Sequence, residues 1–430
     1  MTASTIGSTA KLRPLDLERF RDPKAFTHGL FRFPGRFHPP LVAYLLRKHP
    51  EAEVTGDLMV GSGTCAVESV VSGRDGIFSD IDPLSCLLTR AKTHPVDPKW
   101  LTETIERIIN AACPLWPRGT STSAAEREIA NMEGSTDFKA PPDIFKWFQP
   151  YVAANLGRCL RISADVTRTA QEKDSMLAVF AAAIRRVSRA DPNTASGLEV
   201  TKVRSLDLKN GLRFDLAGEL RRKASLLSNG YQQMLALPSL GNANVIEHDA
   251  KDWFSLCKSR NMLPQIVITS PCYFSAIEYW RRHKLEYCWL GLVEPADLKS
   301  VKGKFLGMGS WDPDLDFMSE YVGELHSDLK EQGKDRIADA VARYFEDSAC
   351  WISEVGRVIS SSNGVAYVVA GSNTTHGLHI DTPKALAEIA GREGLNSRVV
   401  MTYQIANSYM QYKTSTQRIK SETVLRLNPV

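Results

Sequence analysis

Several familiar signatures are missing from this chain. None of its eight cysteines (65, 86, 113, 159, 257, 272, 288 and 350) stands in a CxxC pair, which argues against a zinc cluster, and no metal site is expected. Their scatter through 430 residues is that of free thiols rather than of a disulfide scaffold. No apolar run approaches the ~20 residues of a membrane span. The opening MTASTIGSTAKLRPLD has no apolar stretch of the signal-peptide kind. There is no internal repeat and no low-complexity tract. The expectation is a soluble, cytoplasmic protein with no membrane partner.

What is present is ordinary globular material, 43% hydrophobic and 24% charged, enough for a sizeable core. At about 150 residues per domain the length allows two or three domains, or one large domain with insertions. A net charge of +4 permits nucleic acid as a partner without demanding it. The positive balance is front-loaded: the first fifty residues hold nine Lys/Arg against three Asp/Glu. That arm reads either as solvated surface or as a phosphate-contacting segment.

The pattern of elements is α/β. LVAYLLR at Leu41–Arg47 reads as a helix entered through Pro39-Pro40. Strand, helix, strand and helix then follow at Val54–Val60, Thr64–Ser72, Asp75–Ser79 and from Pro83 through Ala91. That alternation predicts a doubly wound sheet. Residues 101–242 break the rhythm with helical runs, notably Asp143–Ile162 and Asp174–Arg189, and no strand character. The rhythm resumes with strands at Asn244–Glu247, Gln265–Ile268 and Val365–Val369. A helix is expected at Ser275–Leu290, a polar loop around 294–315, and a long helix from Asp316 to Ile359 broken near Gly333. The organisation is a first core part at 25–100, a helical insertion at 101–242 and a second core part at 243–430.

Four motifs carry chemistry. Asp57-Leu-Met-Val-Gly61-Ser62-Gly63-Thr64 runs from a strand through a glycine turn into a helix, where a ligand can lie against bare backbone at a helix N-terminus. It also satisfies a GxGxxA dinucleotide pattern. Asp80, at the end of the second strand and followed by Ile81, can take both hydroxyls of a ribose while Ile81 covers an adenine face. It can equally cap the helix that begins at Pro83. Asp249-Ala250 follows the third strand, where a carboxylate can accept from an adenine amino group or simply form a turn. Thr269-Ser270-Pro271-Cys272-Tyr273 closes a buried strand. There the proline fixes an irregular backbone and the tyrosine offers a stacking face. That set suits a flipped nucleobase.

In this order the motifs resemble those of S-adenosylmethionine-dependent DNA methyltransferases, particularly the N4-cytosine amino-methyltransferases. Asp57–Thr64 is similar to their D-x-F-x-G-S-G-T cofactor loop except for Met59, and Thr269–Tyr273 to their TSPPY tetrad except for Cys272. Phe33-Pro-Gly-Arg-Phe-His-Pro-Pro40 is similar to the segment that helps hold the methionine end. Ala276–Leu285, Tyr367–Asn373 and Asn407–Arg426 resemble the family's later segments. The resemblance covers about 25–100 and 243–428. It implies a Rossmann-like methyltransferase sheet with a large helical insertion. S-adenosyl-L-methionine would be held by Asp57, Gly61, Ser62, Gly63, Thr64, Asp80, Ile81, Asp249 and Ala250, with catalysis at Ser270, Pro271, Cys272 and Tyr273. It also implies site-specific methylation of double-stranded DNA at the nucleoid, within restriction-modification and alongside a restriction endonuclease.

Cys272 splits the reading. As a small apolar replacement for proline it leaves N4 transfer, which needs no covalent intermediate. As a Pro-Cys nucleophile it points to C5 transfer, which requires a thiolate and, in the family, a glutamate from a Glu-Asn-Val motif. That motif is absent, and Glu278 is the nearest candidate. N4 is the favoured expectation and C5 the alternative, with N6-adenine transfer behind them. More distant are an NAD-dependent oxidoreductase, which would leave Ser270–Tyr273 idle, and a non-catalytic nucleic-acid-binding relative. Base reading is expected from Arg158, Arg161, Arg168, Arg185, Arg186 and Arg189 in the insertion, then from Lys299, Lys302 and Lys304. Phosphate contacts are expected from Lys413, Arg418 and Lys420.

Overall fold

The structure, a computed structural model, describes residues 22–194, 197–274, 277–309, 317–375, 378–404 and 421–430. Seven strands form one sheet in the order β3-β2-β1-β4-β5-β9-β8. They are β1 (Val54–Asp57), β2 (Asp75–Asp80), β3 (Ala243–Glu247), β4 (Ile266–Thr269), β5 (Val365–Ala370), β8 (Leu395–Gln404) and β9 (Ser421–Pro429). β6 (Asn373–Thr375) and β7 (Leu378–Ile380) form a separate two-stranded ribbon. β1 to β5 are parallel to their neighbours, while β9 runs antiparallel between β5 and β8.

Alternation along the central strands divides the interior. Ile266, Ile268, Val365, Tyr367 and Val369 face one core, and Val267, Ala366, Val368 and Ala370 face the other, as the two-residue period of a strand requires. On the first face pack the helices Pro39–Arg47, Thr64–Val71 and Pro83–Thr93, continuous with the insertion. On the second pack Trp253–Ser259, Glu320–Glu331, Asp335–Ser362 and Thr382–Arg392.

From β1 the chain proceeds outward through β2 to β3, then returns to β4 and goes the other way. That reversal leaves a crevice beyond the carboxyl ends of β1 and β4, where ligands of such sheets bind. In register, Asp57 at the end of β1 lies opposite Phe78, and β2 runs two residues further to Asp80, which lies opposite Glu247 at the end of β3.

The insertion is helical, as expected, with Pro98–Ala112, Thr122–Ser135, Ile144–Trp147, Pro150–Val166, Ala170–Ile184, Lys202–Lys209 and Leu216–Leu235. Its buried residues, among them Ile105, Leu156, Phe180 and Leu227, belong to the same cluster as Leu84, Leu87 and Ile268 of the sheet layer. Elsewhere the structure refines the expectations. The helix expected at Ser275–Leu290 is two short ones, Tyr279–Arg282 and Lys284–Trp289. Within the polar loop of 294–315 lies a short helix, Leu298–Lys304. The long helix is broken as anticipated into Glu320–Glu331 and Asp335–Ser362, with Gly333 at φ 67° between them. β8 and β9 had no counterpart among the strands read from the sequence.

Candidate functional site

Beyond the ends of β1, β2 and β4 lies a partly open cleft. Its walls bring together Asp57, Gly61, Ser62, Asp80 and Ile81 from the expected cofactor set, and all of Ser270, Pro271, Cys272 and Tyr273. Gly63 and Thr64 act from behind it. Asp249 and Ala250 are not brought to it: the Asp249 carboxylate accepts from the Lys251 N–H at 3.0 Å, which is the turn-forming alternative, and Ala250 is buried in the second core.

The glycine turn is built by backbone demands. Gly61 and Gly63 have φ of 48° and 76°, a region that side chains avoid. A Cβ on Gly63 would sit 2.8 Å from the Thr89 hydroxyl. Behind the turn, buried Lys92 donates to the Ser62 carbonyl at 2.5 Å. Burial and the Arg36 charge lower its pKa to about 7. Ser62 and Thr64 hydroxyls lie 2.9 Å apart, and Thr64 reaches the Phe37 carbonyl at 3.3 Å.

Both carboxylates sit in poor solvent. Burial pushes Asp57 and Asp80 up to about 7, Asp80 with the added repulsion of Asp82. Asp80 is not the helix cap. Asp82 is, accepting from Leu84 N–H at 2.9 Å. Asp80 instead takes the Gly61 N–H at 2.8 Å on one oxygen and the Asp82 N–H at 2.9 Å on the other. Each oxygen keeps a second lone pair. Asp82 is held further by His283 at 2.8 Å and the Tyr287 hydroxyl at 2.9 Å. Burial pushes its carboxyl up, but these partners outweigh that and hold it below the usual range. This pairing pins the segment after the tetrad to the helix start after β2. The opposite wall is the Phe33 ring stacked on Tyr279, centroids 5.1 Å apart, with the Tyr279 hydroxyl on the Pro34 carbonyl at 2.8 Å.

At the tetrad, Ser270 donates to the Val369 carbonyl at 3.0 Å. The Cys272 carbonyl accepts from Tyr344 at 2.8 Å, and Tyr273 donates to Glu422 at 2.6 Å. Burial, then the nearby Asp80, pushes the Cys272 thiol up to about 12. Glu278 pairs with Arg281 at 3.3 Å and lies away from the cleft lining.

These parts fit a nucleoside bearing a cationic amino-acid end. Two buried carboxylates with lone pairs to spare suit a ribose diol and an ammonium group, and the bare turn lets the ligand lie against backbone. Of the basic residues expected to read bases, Arg158 and Arg161 face Glu128 at 3.8 and 3.2 Å. Arg185 is buried on the carbonyls of Arg282, Asp191 and Gly197, and Arg189 is half-buried. Arg168, Arg186, Lys299, Lys302 and Lys304 are exposed. Lys413, Arg418 and Lys420 lie outside the described residues. The sequence reasoning missed Glu422, Tyr279, Phe305 and Leu306 as parts of the site or its support. No spacing signal marks them, because they come from irregular or distant segments.

No family model matches the chain. It is 23% identical over 435 residues to the Type II methyltransferase M.MvaI of Kocuria varians, spanning 93% of this chain and 89% of that one. Against the Type II methyltransferase M.MjaII of Methanocaldococcus jannaschii it is 30% identical over 96 residues, 22% of this chain and 18% of that protein. Among solved structures, the rRNA methyltransferase aviRa of Streptomyces viridochromogenes aligns over 92% of this chain and 88% of its own at 8% identity and a TM-score of 0.31, a superposition too loose to bear on the fold.

Proposed function

We propose that this S-adenosylmethionine-dependent DNA methyltransferase modifies the N4 amino group of a cytosine flipped out of duplex DNA. The observation that carries the reading is the cleft itself, which gathers Asp57 and Asp80 on one side and Ser270–Tyr273 on the other. Similarity over 93% of the chain to a Type II methyltransferase supports it. S-adenosylmethionine, when bound, supplies an electrophilic methyl group on a sulfonium. Asp80 would take its ribose hydroxyls, Asp57 and the Gly61 turn its amino-acid end, and Ile81 its adenine face.

The chain's own part is to hold the acceptor. The Ser270 hydroxyl spends its proton on Val369, so its lone pairs remain to accept an amino hydrogen. The Pro271 carbonyl accepts the other. Both bonds draw the amino nitrogen's lone pair out of conjugation and fix its direction, and such positioning supplies most of the rate when the donor is already activated. Tyr273 stacks on the base.

The surroundings of Cys272 favour N4 over C5. A thiol pushed to about 12 by burial and by Asp80 is a poor nucleophile at neutral pH, since attack needs thiolate and a neighbouring positive charge to make it. Glu278 pairs with Arg281 at the surface and is not among the residues lining the cleft, which counts against it as the acid that would protonate a ring nitrogen. Base reading is assigned to the helical block at 101–242, where Arg168 is exposed and Arg186, also exposed, lies 3.7 Å from Glu219. Nucleoside mass spectrometry of DNA from a host expressing the protein tests the reading. N4-methylcytosine is expected, and 5-methylcytosine overturns the N4 assignment in favour of Cys272 as nucleophile.

A further inference from the structure

The mechanism above uses the Tyr273 ring and leaves its hydroxyl unexplained. That hydroxyl donates to one carboxylate oxygen of Glu422 at 2.6 Å. The other oxygen accepts from the Tyr403 hydroxyl. Glu422 and Tyr403 face each other across the β8–β9 ladder. Neither lines the cleft, whereas Tyr273 does. The Tyr403 ring in turn lies over His38, centroids 6.4 Å apart and 29° from parallel, at the end of the Phe33–Pro40 segment. A carboxylate that receives a donor on each oxygen is a two-sided clamp. It holds the phenol of the tetrad at its far end, 149 residues away in sequence.

Such a clamp costs desolvation. Burial raises the Glu422 carboxyl, and the two tyrosine donors pull it back toward ionisation. A carboxylate in this setting ranks among the stronger hydrogen-bond acceptors. Without it a phenol ring keeps two rotatable torsions and can tilt, and a stacked base tilts with it. A misplacement of about 1 Å at the reacting atoms costs on the order of a hundredfold in rate.

We propose that Glu422 is a positioning residue: by gripping the hydroxyls of Tyr273 and Tyr403 together, it fixes the plane of the Tyr273 ring on which the target base stacks. The inference rests on the methyltransferase reading of the cleft. It makes the antiparallel edge of the sheet part of the catalytic apparatus.

The test uses the full chain: kcat is measured on unmodified duplex DNA bearing the site mapped from wild-type modification, and base flipping on the same duplex with 2-aminopurine in place of the target base. Glu422→Ala should lower kcat about tenfold or more with KM for S-adenosylmethionine within about twofold. Without cofactor, it should change the 2-aminopurine emission of the protein–DNA complex. Glu422→Gln, whose amide oxygen still accepts from Tyr273, should restore most of both. Tyr273→Phe should mimic Glu422→Ala, and the double variant should be no worse than the poorer single one, the mark of two groups acting through one contact. Unchanged kcat and emission in Glu422→Ala overturn the proposal. So does a loss that follows melting temperature and cofactor binding in parallel, or that Tyr403→Phe reproduces while Tyr273→Phe is silent. Wild-type modification that persists in those cases leaves the methyltransferase reading standing. Wild type that leaves no methylated base removes both.

Discussion

At the scale of single residues, the cleft is marked by two buried carboxylates. Asp57 and Asp80 are raised to about 7 by burial. Between the unfolded value near 4 and that point, the folded apo-protein therefore holds protons that the unfolded chain has released. By linkage this contributes stability below the unfolded pKa that is lost as pH rises through about 7. A cofactor whose hydroxyls and ammonium group donate to these oxygens reverses the penalty, since it needs them ionised. The melting temperature of the free protein should fall from pH 5 to pH 8, while the increment added by S-adenosylmethionine grows over the same range. Differential scanning fluorimetry with and without cofactor measures both. Cys272 is predicted to be dispensable. Cys272→Ser should keep kcat within about fivefold, because no bond is made to the sulfur and loss of a small buried group costs about 1 kcal/mol. Wild type on DNA containing 5-fluorocytosine should give no denaturation-resistant adduct on a gel.

At the scale of elements, the strand–turn–helix from β1 through Thr64–Val71 is where sequence and geometry are most tightly bound. Gly63 needs its left-handed φ of 76° and has Thr89 at 2.8 Å from where a Cβ would stand. Gly63→Ala therefore pays both a left-handed backbone penalty of about 1–2 kcal/mol and a steric one. Chemical denaturation should show a loss of about 2–3 kcal/mol, with weaker cofactor binding by calorimetry, because Lys92 and the Ser62 carbonyl move with the turn. The junction between helix Pro83–Thr93 and helix Lys284–Trp289 is a second such element. There Asp82 serves at once as helix cap and as partner to His283 and Tyr287, so the segment after β2 and the segment after Ser270–Tyr273 share one buried carboxylate.

At the scale of the whole molecule, the helical block at 101–242 is not an appended lobe. Its buried side chains continue the core that covers one face of the sheet, and its helix Ala170–Ile184 is tied to Pro83–Thr93 by Arg90 and Asp174 at 2.8 Å. A boundary with a shared interior does not melt separately. Calorimetry should show a single transition whose van't Hoff and calorimetric enthalpies agree. Excision of 101–242 should leave an insoluble remainder rather than a smaller active core.

By itself the sequence determined the parallel β–α rhythm, the helical block and the glycine turn, because each is written in local periodicity, in glycine and in proline. It also picked out the cleft side chains that lie at strand ends, Asp57, Asp80 and Ser270–Tyr273, since a strand's last residue falls at the crevice of a doubly wound sheet. Other matters were left to tertiary structure. Asp82 stands immediately before Pro83 and caps the helix, but only the packing shows its second use, as partner of His283 and Tyr287, and places Asp80 at the cleft. The turn at Asp249 is another such matter, its carboxylate accepting from the Lys251 N–H. The six arginines of the insertion read alike until Glu128, Glu219 and the carbonyls around Arg185 took up four of them. The edge strand β8 and its inner neighbour β9 show no clean alternation of buried and open positions. Their pairing is a long-range event, and so the Glu422 carboxylate reaches Tyr273 only once the sheet has closed around it.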